Sequence, residues 1–375
     1  MRKTLFSILP LLVFLGPSYT KLLPFFGLSL APAAPVVEAN YLRKPAANPV
    51  AERLRGRIDE AKRDLKKLPA DSLDDVTLAV SDGEGDVQTL RATKEEFLQK
   101  GGTFTAVSST GEPLKVSVVR PNYVNTAVRV TDEKGQELQP LVVRYPVERE
   151  GKLHEVAYYT SAHPAVENKE IVRAGGEYVR GQLDEAARKL ASIGEKIDPA
   201  VVDVAERLCH VEHTDHKRFL TEDSASLFDE IRTLYALNAG DTYRYSVSSA
   251  GAGGMVQMIP PTYAGTRGQH PRADLKADFV EGMRDHANAT QAMLLYMQDT
   301  WDYLKKQDEV SAALDSGVAT QAELLAAGYN SNPRKLPGYL ARGGAAWRTL
   351  IPEETKMYHR IYSAVEANVD FDGRS

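Results

Sequence analysis

The apolar positions fall into three textures along the chain. Between Ala51 and Leu68, residues Leu54, Ile58, Ala61, Leu65 and Leu68 recur at 4-3-4-3 spacing, which predicts an amphipathic helix with one apolar stripe. From about Thr77 to Tyr159 the pattern shortens. β-branched and aromatic runs at Thr103–Val107, Leu114–Val119, Ala127–Val130, Leu141–Tyr145 and Glu155–Tyr159 alternate with Gly, Asp and Pro turn signals, the pattern of a small antiparallel β domain. Helical periodicity then returns, predicting helices at Glu177–Ile193, Pro199–His213, Ser224–Leu237, Pro260–Tyr263, Asp285–Lys306, Gln321–Gly328 and Glu353–Ala367.

The expected fold class is therefore α+β and multidomain, a small antiparallel β domain flanked by helices and followed by a mostly helical domain. The boundaries read as an N-terminal signal or anchor at 1–39, a linker and helix at 40–70, and a β-rich accessory domain at 71–165. A connecting helix at 166–197, a helical domain at 198–367 and a tail at 368–375 complete the chain. The stretch Leu54–Leu65 matches Val179–Leu190 at seven of twelve positions. This echo suggests two helices that flank the β domain and pack on each other or on a shared face.

Composition changes this picture little. Charged residues are 26% and hydrophobic residues 43% of 375, ordinary for a globular protein. The net charge of −5 disfavours nucleic acid as a partner, because phosphate attraction needs a basic surface. Removing residues 1–39, whose charges are Arg2, Lys3, Lys21 and Glu38, leaves the chain still acidic. The single cysteine, Cys209, rules out an internal disulfide and a cysteine-based zinc cluster, and reads as helix packing.

The N-terminus is an address. Arg2 and Lys3 precede an apolar run from Leu5 to Leu15, and Val37-Glu38-Ala39 fits cleavage after Ala39. This predicts export to the periplasm or cell envelope. If uncleaved, residues 5–30 would tether the chain to the inner membrane.

Chemistry concentrates in three segments. The helix Pro199–His213 presents Val201, Val204, Leu208 and Val211 inward and ends on Glu212. A carboxyl held among apolar neighbours loses hydration, so its pKa rises and it can stay protonated as a general acid. Glu206, on the same helix, is the obvious decoy. The second segment, Ser246–Thr262, carries Gly251, Gly253 and Gly254 for tight turns and close approach. It lacks the Lys-Ser/Thr and the preceding strand that a phosphate-binding loop requires. The third holds Gly328-Tyr329-Asn330 and, further on, Pro352 to Tyr358.

Together these segments resemble the soluble lytic transglycosylase family, whose structural relative is goose-type lysozyme. The family's Ser, Ala-Gly-Ala, Gly-Leu-Met-Gln and Pro-x-Thr are matched here by Ser248, Ala250-Gly251-Ala252, Gly254-Met255-Val256-Gln257, and Pro260 with Thr262. Its Ala-Tyr-Asn-Ala-Gly-Pro is similar to the run from Ala327 to Pro333, and its closing Glu-Thr-x-x-Tyr helix to Glu354-Thr355 and Tyr358. The resemblance covers about residues 198–366. It implies a lysozyme-like helical domain and Glu212 as catalytic acid and then base. It also implies Ser248, Met255, Gln257, Tyr329 and Asn330 at the substrate, glycan strands of peptidoglycan as that substrate, and no metal or cofactor.

This sequence departs from the family pattern in two ways. His213 stands where the family has serine, and 38 residues separate Glu212 from Gly251, so 214–245 is an insertion. The insertion supplies Asp215, Glu222, Asp223, Asp229, Glu230 and Asp241, any of which could activate water in a hydrolytic muramidase of the same fold. His210, His213 and His216 raise a metal reading, although their spacing spreads them over about 120° of a helix. A non-catalytic peptidoglycan-binding scaffold is the remaining alternative. The β segment contains no catalytic constellation and reads as a spacing or docking module for a protein partner.

Overall fold

The computed structural model describes residues 48–69, 72–82 and 84–374. The N-terminal apolar run, the cleavage position after Ala39 and nearly all of the Pro/Ala-rich linker lie outside the described residues.

Helix α1, Pro49–Lys67, starts where Asn48 accepts a hydrogen bond from the Ala51 N–H and Pro49 occupies the first turn. Its stripe of Ala51, Leu54, Ile58, Ala61 and Leu65 is buried as the spacing predicts. The strands follow: β1 Asp75–Ser81, β2 Val87–Thr93, then the short helix α2, Lys94–Leu98, and β3 Thr103–Val107, β4 Pro113–Arg120, β5 Ala127–Thr131, β6 Glu137–Arg149 and β7 Lys152–Tyr159. They pair antiparallel in the order β2-β1-β6-β5-β4-β3, with β7 on the far half of β6. The long strand β6 joins both halves of the sheet, pairing β5 at Leu138, β1 through Arg144 and β7 from Val143 onward. The sheet curls until β2 and the end of β3 meet at a bridge between Leu90 and Ser108.

The helices continue as α3 Lys169–Ser192, α4 Pro199–Val211, α5 His216–Thr221, α6 Ser224–Asn238, α7 Pro260–Gln269, α8 Phe279–Arg284 and α9 His286–Leu304. After these come α10 Asp308–Asp315, α11 Gln321–Asn330, α12 Leu336–Gly343 and α13 Glu353–Asn368. The fold is mixed, a small antiparallel sheet with many helices, as expected. Two expectations change. Helix α3 begins eight residues before Glu177, because Gly175 and Gly176 are not a break but a crossing point. A Cβ on Gly175 would lie 1.8 Å from the Arg232 carbonyl oxygen, so only glycine lets α6 approach α3 this closely.

The echoed helices are the second change. The α1 stripe packs with Ala79, Leu141 and Val142 of the sheet, and with Ile171 and Ala174 at the start of α3. The matching stripe Val179, Leu183, Ala186 and Leu190 lies in the main core against α4, α6 and α9 instead. The echoed stripes thus face largely different partners, although the helices themselves meet at the start of α3 and both pack on α6.

The sheet does not close a core of its own. Val76, Leu78, Leu114, Val128 and Tyr159 belong to the same apolar cluster as Val201, Leu208, Phe228, Leu294 and Ile361. Residues 71–165 and 198–367 therefore share one interior. The insertion 214–245 is part of it, with Leu227, Phe228, Ile231, Leu234 and Tyr235 all buried.

Candidate active site

Helix α4 starts with Asp198 capping the Ala200 N–H and Pro199 in the first turn, and it buries Val201, Val204, Leu208 and Val211. Glu212 is its C-cap residue, where the chain leaves the core, and it is one of the residues that line a groove. Glu212 Oε1 accepts a 2.5 Å hydrogen bond from the Tyr358 hydroxyl of α13. Burial pushes the Glu212 carboxyl up to about 8; the Tyr358 hydrogen bond pulls it back, and Glu354 pushes it up again. At neutral pH the carboxyl is protonated, the form that can give a proton away.

Glu206 behaves differently. It is 4% exposed and ion-paired at 2.5 Å to Arg374, which also holds Asp184 and Asp203 at 2.7 and 2.8 Å. That carboxylate is locked into a structural cluster away from the groove. Cys209 is fully buried and burial raises its thiol pKa, in keeping with packing.

The glycine-rich segment wraps over Glu212's end of α4. Short bridges between Val247 and Gly253 and between Gly253 and Met258 fold it on itself. Gly254 has φ +66°, and a Cβ there would lie 2.3 Å from the Met283 carbonyl oxygen. Gln257, at φ +47°, donates its side-chain amide to the Gly254 carbonyl at 2.8 Å, and Ser248 Oγ accepts from the Ala252 N–H at 3.0 Å. Met255 is fully buried. Tyr329 of α11 donates to the Val256 carbonyl at 2.7 Å, and Asn330 accepts from Thr355 at 2.8 Å.

Among the five residues expected at the substrate, none lines the groove. Ser248 and Gln257 brace the glycine loop, Met255 packs beneath it, and Tyr329 and Asn330 tie α11 to that loop and to α13. Tyr329 does lie in the electrostatic neighbourhood of Glu212, whose charge helps hold its phenol pKa well above the usual value after burial.

His213 occupies the position after the acid. Its Nε2 is 2.9 Å from the Met255 carbonyl oxygen, which can only accept, so Nε2 carries the proton. The ring stacks flat on Tyr243, 3.3 Å between centroids, and burial pushes its pKa down to about 3. His213 is thus a neutral clamp between α4 and the glycine loop. His210 points its Nδ1 at the Glu206 carbonyl, and His216 opens α5 at the surface. Among the described residues no three His, Cys, Asp or Glu side chains converge as metal ligands.

The groove itself encloses about 950 Å³, and its far wall is the β sheet. Arg120, Tyr123, Asn125 and Tyr145 contribute from the sheet side, and Asp215, Arg218, Glu230 and Tyr243 from the insertion. Glu230 joins the two walls, pairing at 2.8 Å with both Arg120 and Arg218. From sequence, Asp215 and Glu230 of the insertion read only as possible water activators, and the sheet only as a spacing or docking module. Tyr358 was noted only as part of a closing helix, and its contact with Glu212 spans 146 positions.

No known family, curated protein or solved structure matches this chain.

Proposed function

We propose that the chain cleaves the glycan strands of peptidoglycan at the bond between N-acetylmuramic acid and N-acetylglucosamine, as a lytic transglycosylase with a goose-lysozyme-like catalytic part. The observation that carries the reading is Glu212: a single carboxyl, raised to about 8 by burial, at the edge of a groove of about 950 Å³. That volume lies at the upper end of the roughly 300–1,000 Å³ common for small-ligand sites, enough for more than one sugar ring.

In this mechanism the Glu212 carboxyl gives its proton to the glycosidic oxygen as the bond to the muramic C1 breaks, with the bonding pair leaving on that oxygen. The 2-acetamido group steadies the positive charge at C1. The resulting carboxylate then takes the proton of the sugar's own 6-hydroxyl, whose oxygen closes on C1 as a 1,6-anhydro ring. One residue serves as acid and then base, and water is not consumed. The N-terminal pattern at 1–39 fits such a role, since the substrate lies outside the cytoplasm.

Hydrolysis by the same fold is the second reading, supported by Asp215, which lines the groove with Glu212. Mass spectrometry of digested cell walls separates the two, because hydrolysis gives reducing ends one water heavier than anhydro ends. The decisive control is Glu212→Gln. Loss of cell-wall release by about a hundredfold or more is expected for a general acid. Full activity in that variant would remove Glu212 as the acid, whereas a parent that binds wall but releases none would be a binding protein and not an enzyme.

A further inference from the structure

Tyr123 is the feature of the groove that the catalytic reading does not use. It sits in a one-turn 3₁₀ segment between β4 and β5, 69% exposed, at φ +47°. An aromatic side chain at positive φ is a backbone outlier, and such strain persists only where surrounding contacts impose it. Here Thr126, fully buried, imposes it: its Oγ1 donates to the Tyr123 carbonyl at 2.8 Å and accepts from the Asn122 N–H at 2.9 Å. The turn is thereby fixed with a bare phenol ring on the rim of the cavity that also contains Glu212.

Six non-glycine residues have positive φ among the described residues, and two of them, Tyr123 and Tyr243, line this groove. Behind Tyr123 lie Asn122 and Asn125, whose amides can both give and accept hydrogen bonds, and Tyr145 with the Lys94 ammonium 5.0 Å over its ring. A flat exposed aromatic ring beside amide groups suits the apolar C–H face and the hydroxyl and acetamido edges of a pyranose.

Resting on the glycan reading of this groove, we propose that the Tyr123 turn of the sheet is a saccharide subsite, with the Tyr123 ring stacking on an N-acetylated sugar of the strand held at Glu212. The sheet is then a wall of the binding groove and not a spacer. A β-1,4-linked N-acetyl sugar strand is the occupant because the cavity is continuous with the acid.

The test is calorimetric titration of the full-length Glu212→Gln protein with the β-1,4 N-acetylglucosamine hexamer, repeated with Tyr123→Gly and Tyr123→Phe added. Glycine adopts positive φ freely, so Tyr123→Gly is expected to melt no lower than its parent while binding the hexamer about tenfold more weakly. Tyr123→Phe keeps the ring and is expected to bind within about twofold of the parent. Equal affinity in the glycine variant overturns the subsite, as does a phenylalanine variant as weak as the glycine one. If the parent binds no hexamer, the subsite falls with the glycan reading of the groove. If Tyr123 matters for binding but Glu212→Gln does not slow turnover of cell wall, the subsite stands and the catalytic reading alone fails.

Discussion

The Tyr358 hydroxyl donates a hydrogen bond to Glu212 across 146 residues of sequence, at 2.5 Å. The bond opposes burial: it stabilises the carboxylate, while the apolar surroundings stabilise the acid. Glu212 near 8 is the balance of the two, and several measurable consequences follow from shifting it.

With Glu212 protonated below about 8, activity should hold through neutral pH and fall as pH rises past that value. A pH–rate profile of wall release checks this. A profile already falling near pH 5, the ordinary carboxylate range, would contradict a buried acid.

Tyr358→Phe removes the pull toward the ionised form, so the Glu212 pKa should rise further. The alkaline limb of the pH–rate profile should move to higher pH, by about one unit for the loss of one strong hydrogen bond. An unmoved limb would show that the hydroxyl does not act on this carboxyl.

Stability should report the same shift. A carboxyl whose folded pKa is raised favours the folded state fully below its unfolded value, and that contribution is lost as pH rises through about 8. Glu212→Gln cannot ionise. Its melting temperature should match the parent's near pH 5 and exceed it by roughly 5 °C at pH 9. Parallel melting curves across that range would argue against the buried state of Glu212.

Gly254→Ala should destabilise the glycine loop by about 2–3 kcal/mol, because φ +66° and a Cβ 2.3 Å from the Met283 carbonyl oxygen leave no room for a side chain. Chemical denaturation measures it. Since this loop receives Tyr329 and His213, the alteration should also lower wall release more than the stability change explains.

Arg374→Met removes the cation shared by Asp184, Asp203 and Glu206 and leaves only Arg180 beside two of them, which should cost about 3 kcal/mol near neutral pH. The deficit should shrink on acidification, when those carboxyls take up protons. A deficit independent of pH would mean that packing, not charge, is what Arg374 supplies.

Much of this was legible beforehand, and the exceptions have physical reasons. The 4-3-4-3 stripe of α1 and the Asp198-Pro199 start of α4 are local signals, and both elements sit where the spacing put them. Strand β1 alternates large apolar with small residues, yet both of its faces are covered. Val76, Leu78 and Val80 face the main core while Ala79 meets α1, so nearly every position is buried. The start of α3 reads from sequence as Glu177, eight residues late, because the use of Gly175 at a crossing depends on Arg232, 57 residues away.

The placement of Glu212 at the end of α4 could be read from its own helix. The groove could not, since one wall comes from β4 to β6 and the other from the insertion, and only the fold brings Arg120 to Glu230. For Ser248, Gln257 and Met255 the motif marked a loop that packs on the end of α4, but the side chains serve the loop itself.

The common interior of sheet and helices has a practical outcome for anyone dissecting the protein. A fragment beginning at residue 198 would lose α3, and with it the surface on which α6 and α9 rest. Cutting at the sequence's apparent seams should give two insoluble pieces rather than two working modules. The helical half cannot be borrowed without its wall.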